Sequence, residues 1–380
     1  MLKRRNSYSV VDVFSGVGGL SLGAARAGFV VRGAVDSDPQ AIDAHQCNFP
    51  SAVHLRTDVS ELTGQSLRRL FALDNGNLAG IIGGPPCQGF SSIGKRDKDD
   101  SRNRLFVEFF RIVGEALPLF FLAENVPGLM RNKNSAIRSR AFSYVEDKYV
   151  MLRPMVMAAN EYGAPTSRTR VFLFGYLPDA VDQLTTDSFR PPPDEEGVFV
   201  KDALRGLPRR ISPDWRKQGE GWRVVHVHGN GYYASRLQGH IPDQVGAPDA
   251  LRRLRNESRA SGFLGTVHSE RVAERYAMTE CGKYDPVSKS YRLDPNGFCP
   301  TLRAGTGRDH GSFQAVRPLH PTEPRVITPR EAARLQGFPD WFQFSPTKWH
   351  SFRQIGSSVS PIVAERILAV IMQALRKDGG

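Results

Sequence analysis

Short apolar runs alternate with stretches in which apolar residues recur every three or four positions, the patterns of buried strands and of one-sided helices. Residues 8–14, 30–35, 79–82, 119–123 and 170–174 predict strands, and residues 20–27 and 105–116 predict helices. At Asp36-Ser37-Asp38-Pro39 a short polar cap and a proline suited to a first turn start another helix. Strand and helix in alternation predict an α/β fold, a doubly wound, mostly parallel sheet with helices on both faces.

Beyond residue 175 the pattern weakens. Pro191-Pro192-Pro193 and a region rich in Gly, Arg and His, from 187 to about 325, read as a separate, loop-rich unit. A clean amphipathic helix returns at 361–376, long enough to pack back onto the first unit. The expected organisation is a catalytic and cofactor-binding domain over 1–186, a smaller inserted domain over 187–345, and a C-terminal segment, 346–380, folding back.

Composition sharpens this. The chain has 380 residues, and 51 Lys and Arg against 39 Asp and Glu give a formal charge of +12, which favours a polyanionic partner, nucleic acid first. No stretch reads as a membrane span and residues 1–7 do not read as a signal peptide, so a cytoplasmic protein is expected, nucleoid-associated if bacterial. Cys47, Cys87, Cys281 and Cys299 form no Cys-x-x-Cys pair and no zinc spacing with His, so neither a metal nor a disulfide framework is expected. Cys47 reads as a buried apolar residue.

Cys87 reads differently. It follows the strand at 79–82 and two prolines, at the mouth of "GGPPCQGFSSIGKR". Gly89, Gly94, Lys95 and Arg96 make a flexible cationic loop able to stabilise a thiolate and close over a substrate. The other turn with chemical content is "DVFSGVGGLS", where Gly16, Gly18 and Gly19 let backbone approach a ligand. Asp36 ends the next strand at the distance where a carboxylate holds a ribose hydroxyl in nucleotide-binding folds. Ser21 stands where the third glycine of a dinucleotide fingerprint would be, so an adenosine without a pyrophosphate, as in S-adenosylmethionine, fits better.

"DVFSGVGG", "GGPPCQGFS", "AENV", "SRTRVFLFG", "TPREAARLQGFPD" and "QIGSSV" follow one another in the order of the conserved blocks of the DNA (cytosine-5)-methyltransferase family, which the chain resembles from Val10 to Arg376. The resemblance implies the S-adenosylmethionine-dependent methyltransferase fold, with the insert as target-recognition domain. It also implies that Cys87 adds to carbon 6 of a cytosine flipped out of duplex DNA, that Glu124 binds the ring at nitrogen 3 and the exocyclic amine, and that Arg168 and Arg170 support the base carbonyl and the catalytic loop. Gln88 would help fill the vacated stack. On the cofactor side it implies Phe14, Gly16, Gly18, Gly19, Asp36, Ser37, Asp58, Leu105, Ser357 and Ser358, with S-adenosylhomocysteine as product. Arg168 and Arg170, two apart on an extended segment, are expected to share a face. Arg209, Arg210, Arg216, Arg236 and Arg303 are candidates for DNA contact.

The expected protein is a monomeric modification enzyme, with a restriction endonuclease acting on the same site as a further partner. Two alternatives stay open, an RNA-directed cytosine-5 methyltransferase and a catalytically silent DNA-binding regulator. A zinc deaminase is set aside, since His268-Ser269-Glu270 comes after Pro86-Cys87 and no second cysteine follows at the required spacing.

Overall fold

The computed structural model describes residues 8–73, 78–86, 101–193, 197–212, 214–215, 221–226, 232–305 and 317–376. One sheet carries β1 (Ser9–Val13), β2 (Val30–Asp36), β3 (Val53–Arg56), β4 (Leu78–Gly83), β5 (Phe120–Asn125), β6 (Val150–Met151), β7 (Met155–Ala158) and β8 (Thr169–Tyr176). Their order is β3-β2-β1-β4-β5-β8-β6, with β7 also on β8. β1 pairs in parallel with β2 and β4, β2 with β3, and β4 with β5. β8 runs antiparallel to β5, β6 and β7, so one strand opposes all the others. β1, β4 and β5 are buried along their whole length, as central strands covered on both faces must be.

Between the strands lie α1 (Gly19–Arg26), α2 (Pro39–Asn48), α3 (Gly64–Leu70), α4 (Ser101–Ala116) and α5 (Ser135–Phe142). On one face of the sheet, Phe109 and Phe110 of α4 meet Phe121 of β5 edge to face, the arrangement the ring quadrupole favours. The later elements are α6 (Val200–Leu204), β9 (Arg223–Val224), α7 (Tyr232–Gln238), α8 (Pro248–Glu257), β10 (Arg259–Ala260), α9 (Glu270–Met278), α10 (Pro329–Gln336), α11 (Lys348–Ser357) and α12 (Pro361–Ala374). α12 covers the other face of the sheet together with α1. The two helices touch backbone to backbone at Gly23, where a Cβ would lie 2.3 Å from the Ala364 Cβ. The apolar cluster on this face runs on without a break into Val200, Ala203, Leu237, Leu293, Leu335 and Trp341.

Two expectations change. Cys47 is exposed on α2, while among the described cysteines Cys299 is the buried one; Cys47 falls on the outer side of an amphipathic helix whose inner side is Ala41, Ile42, Ala44, His45 and Asn48. The 27-residue stretch Lys348–Ala374 does reach the length and hydropathy of a membrane span. It is broken before Pro361 into α11 and α12, and its apolar side lies in the core.

Candidate active site

The order of strands reverses between β1 and β4, and at such a switch point the loops leaving the carboxyl ends of neighbouring parallel strands diverge and leave a crevice. β1 feeds the glycine turn and β4 feeds the Gly84-Pro85-Pro86 segment that leads to Cys87. The two strands are in close contact, since a Cβ at Gly83 would lie 2.0 Å from the Val13 carbonyl oxygen.

The glycine turn is strained where it leaves β1. Phe14 has φ +63° and Gly16 φ +55°, and a bulky residue in the left-handed region persists only when its surroundings hold it there. Phe14 is held by packing onto the aromatic cluster under α4 and β5. The Asp36 carboxylate at the end of β2 accepts the Gly16 N–H at 2.8 Å and the Asp38 N–H at 2.9 Å. Burial pushes its carboxyl up, against those two hydrogen bonds. Each glycine has its own reason. A Cβ at Gly16 would meet nothing within 4 Å, so open space lies in front of it. One at Gly18 would strike Phe49 at 2.6 Å, and one at Gly19 would strike Ser358 Oγ at 2.2 Å and the Val359 carbonyl at 2.4 Å. Open space before Gly16, with an acidic oxygen beside it, suits a ribose-bearing ligand.

Ser358 therefore lies against the turn. Its neighbour Ser357 is exposed and turns its hydroxyl onto its own helix, donating to the Arg353 carbonyl at 2.9 Å. Ser37 is exposed beyond Asp36, Asp58 caps the short turn after β3 by accepting the Ser60 N–H at 2.8 Å, and Leu105 is half-buried on α4. Substituting Gly19 by alanine forces the backbone at Val359 to move. Cofactor binding is expected to weaken about tenfold or more, at an overpacking cost of about 1–3 kcal/mol; calorimetric titration of the variant checks it.

Glu124 lies at the end of β5, beside this crevice. Its Oε1 stands 2.6 Å from Arg170 Nε, with both side chains mostly buried, and a Cβ at Gly84 would come within 3.2 Å of its Oε2. The next residue, Asn125, donates from Nδ2 to the Pro85 carbonyl at 3.1 Å. The approach to residue 87 is thus fastened to the strand that carries the carboxylate. Cys87 and Gln88 themselves lie outside the described residues.

Arg168 and Arg170 share a parity but not a destination. Arg170 engages Glu124. Arg168, buried just before β8, donates to the carbonyls of Leu302 at 3.2 Å, Gly356 at 2.9 Å and Ser357 at 3.3 Å, so it ties the backbone at Leu302 to the end of α11. Among the insert candidates, Arg209, Arg210 and Arg303 are exposed, Arg236 is half-buried with Nη1 on the Tyr232 hydroxyl at 3.0 Å, and Arg216 lies outside the described residues. Asn125 and Gly84 were not singled out in the sequence, although Asn125 adjoins Glu124 in the "AENV" block.

A model of C-5 cytosine-specific DNA methylases matches residues 8–373. The chain belongs to that family. It is 40% identical to the type II methyltransferase M.XorII of Xanthomonas oryzae pv. oryzae, over 97% of this chain and 85% of the relative. It is 31% identical to the type II methyltransferase M.DdeI of Desulfomicrobium norvegicum, over 94% and 87%. Among solved structures, a prophage-encoded E. coli protein described as a DNA modification methyltransferase superposes with a TM-score of 0.87 at 50% identity, covering 97% of this chain and 99% of that one. The S. pombe Dnmt2 methyltransferase, at 18% identity and a TM-score of 0.59, shares the fold. The family member described here is accordingly a DNA (cytosine-5-)-methyltransferase of the restriction-modification type.

Proposed function

We propose that this methyltransferase modifies carbon 5 of a cytosine rotated out of duplex DNA, with S-adenosylmethionine as donor and a covalent bond between Cys87 Sγ and carbon 6 as intermediate. The observation that carries the reading is the meeting of two loops at one switch point, the open glycine turn and the segment before Cys87, with the Glu124–Arg170 pair beside the second. S-adenosylmethionine, when bound, supplies an electrophilic methyl group. Phe14, the glycines and Asp36 would hold its nucleoside, with Asp58, Leu105 and Ser358 around it.

Carbon 5 of cytosine is a weak nucleophile, so the chain's own residues must make it electron-rich. Addition of the Cys87 thiolate to carbon 6 turns the ring into an enamine. Glu124, held in place by Arg170, would hydrogen-bond nitrogen 3 and the exocyclic amine and stabilise the charge that builds there. Once carbon 5 carries the methyl group, a base removes its proton, the carbon–hydrogen electron pair reforms the ring double bond, and the carbon–sulfur pair leaves with sulfur as the Cys87 thiolate. The base has to leave the stack for this addition. The formal charge of +12 and the exposed arginines of the insert suit a DNA backbone, and the insert would be the target-recognition domain. On this reading the enzyme acts as a monomer in the cytoplasm, with a cognate endonuclease as a further partner at the same DNA site.

The test is transfer of labelled methyl groups to duplex DNA, followed by bisulfite sequencing of a plasmid that carries the gene. Label in 5-methylcytosine within one sequence context is expected; label in RNA alone, on an adenine or on a cytosine amino group overturns the proposal. Glu124→Gln should lower kcat/KM about a hundredfold, about 2.7 kcal/mol of transition-state stabilisation. Its affinity for the cofactor should stay as in the parent enzyme.

A further inference from the structure

The glycine turn rests on a line of polar side chains that the reaction does not use. Asp12, the one charged residue of β1, is fully buried. Its Oδ2 lies 2.6 Å from Ser21 Oγ on α1, Ser21 Oγ lies 3.0 Å from His45 Nε2 on α2, and His45 Nδ1 lies 2.9 Å from His54 Nε2 on β3. Ser21 and His45 are fully buried and His54 is half-buried, so the line runs from beneath the cofactor turn to the surface. The His45 ring packs under the turn itself. A Cβ at Gly18 would sit 3.0 Å from its Cδ2, and the Phe49 ring lies tilted against it with ring centroids 4.4 Å apart.

We propose that Asp12, Ser21, His45 and His54 form a proton wire whose polarity follows pH and sets how strongly the glycine turn prefers a cationic cofactor over a neutral one. The inference rests on the reading that this turn binds S-adenosylmethionine. A hydroxyl and a neutral imidazole can each donate one hydrogen bond while accepting another, so the line has two self-consistent directions. With Asp12 protonated, its O–H donates to Ser21, Ser21 donates to His45 Nε2, and His45 Nδ1–H donates to His54 Nε2. With Asp12 ionised, Ser21 donates to Asp12, His45 Nε2–H donates to Ser21, and His45 Nδ1 accepts from His54 Nε2–H. Passing from the first state to the second moves one proton from Asp12 to His54 by three hops, and His54 can release it to water. His45 changes tautomer without changing charge.

Among the described residues the charges bearing on the line are few. Asp36 on β2 repels an ionised Asp12. Asp38, at the cap of α2, is engaged by Arg353 of α11 at 3.3 Å. β4 brings no titratable group, and α1 otherwise carries only Arg26, which donates to the Leu237 carbonyl. Asp43 and Cys47 of α2 and Arg56 of β3 are exposed. Burial, helped by Asp36 and opposed by the Ser21 hydrogen bond, pushes the Asp12 carboxyl up to about 7, while burial and the neighbouring His54 push His45 well below its usual value and keep it neutral. Because the folded-state value lies above the unfolded one, the stability tied to the protonated carboxyl is fully present below 3.8 and is lost as pH rises through about 7.

The methyl donor carries a sulfonium cation and its demethylated product does not. The ratio of donor to product affinity, measured by calorimetry, is expected to rise about threefold or more between roughly pH 6 and 8 as Asp12 ionises. Over the same interval the ring nitrogens of His45 in the cofactor-free protein should exchange tautomers in long-range 15N spectra. His54→Gln puts beside His45 Nδ1 an amide that can donate or accept but cannot take up or release a proton, so it cuts the outer end of the wire. Both midpoints should shift by about one pH unit or more, and Ser21→Ala should uncouple the His45 tautomer from pH. A single His45 tautomer across this range, or midpoints unmoved by His54→Gln, would overturn the wire. Absence of donor binding at every pH would instead bring down the cofactor reading, which the cofactor-free spectra test separately.

Discussion

Replacing Cys87 by serine should cut methyl transfer by about four orders of magnitude or more, with cofactor affinity and melting temperature unchanged. A thiol near neutral pH is partly thiolate, and cationic neighbours increase that fraction. A serine hydroxyl in the same place is a far weaker nucleophile towards carbon 6 and needs a dedicated base. β4 and the Asn125 clamp on the Pro85 carbonyl hold the segment before residue 87 without any help from its side chain, so binding and fold should survive. The measurement is label transfer beside an adduct assay on DNA containing 5-fluorocytosine, in which carbon 5 has no removable proton and the covalent complex accumulates. The parent protein should shift in a denaturing gel and the variant should not. An adduct formed by Cys87→Ser at the parent's rate refutes the assignment of the nucleophile.

The central, mostly buried strands were the most legible part of the fold. Apolar runs marked β1, β2, β4, β5 and β8 to within a residue or two, because the centre of a covered sheet tolerates little else. β3, with the sequence Val-His-Leu-Arg, and the two-residue β6 at the edges of the sheet have too little apolar pattern to be seen. The glycine turn was legible because its backbone demands glycines. What those glycines touch was not, since Phe49, His45 and Ser358 come from elsewhere in the chain. Arg168 shows the same limit. Periodicity gave its parity, but which carbonyls it clamps depends on where the insert and α11 return. The lone Asp12 in an otherwise apolar strand was a visible signal of a buried polar line, and its partners Ser21 and His45 were not.

The helix "PREAARLQ" exposes a deeper limit. Charged residues at helical spacing read as a solvated surface, yet every residue of α10 is buried. Arg325 holds Glu331 with Nη2 on Oε1 at 2.7 Å, and Arg330 donates to the carbonyls of Pro339 and Phe342. Nothing in the local sequence separates a charge that meets water from one that meets a partner across the core. Only the assembled fold supplies the partner. Cutting one of these pairs should therefore do more damage than the composition of the helix suggests.

Asp340→Asn is expected to destabilise the folded protein by about 3–5 kcal/mol. Arg334 places Nε 2.8 Å from Asp340 Oδ1 and Nη2 2.6 Å from Oδ2, with the two side chains 5% and 0% exposed. Neutralising the carboxylate leaves a guanidinium in the interior with no countercharge, and that desolvated charge, rather than the lost attraction, is the main cost. Replacing both residues by apolar ones of similar size should recover much of the loss, as a denaturant titration of the single and double variants would show. Burial alone would push the Asp340 carboxyl up, but the charge and hydrogen bonds of Arg334 outweigh it and hold it below 3.8. Its contribution is then present above that value and fades as pH falls below it, so the acid unfolding curve of Asp340→Asn should be shallower than that of the parent. The damage should also reach the cofactor. Gln336, at the end of the same helix, donates to the Ser358 carbonyl at 2.9 Å, and Ser358 lies against Gly19, so a loosened α10 removes one wall of the glycine turn.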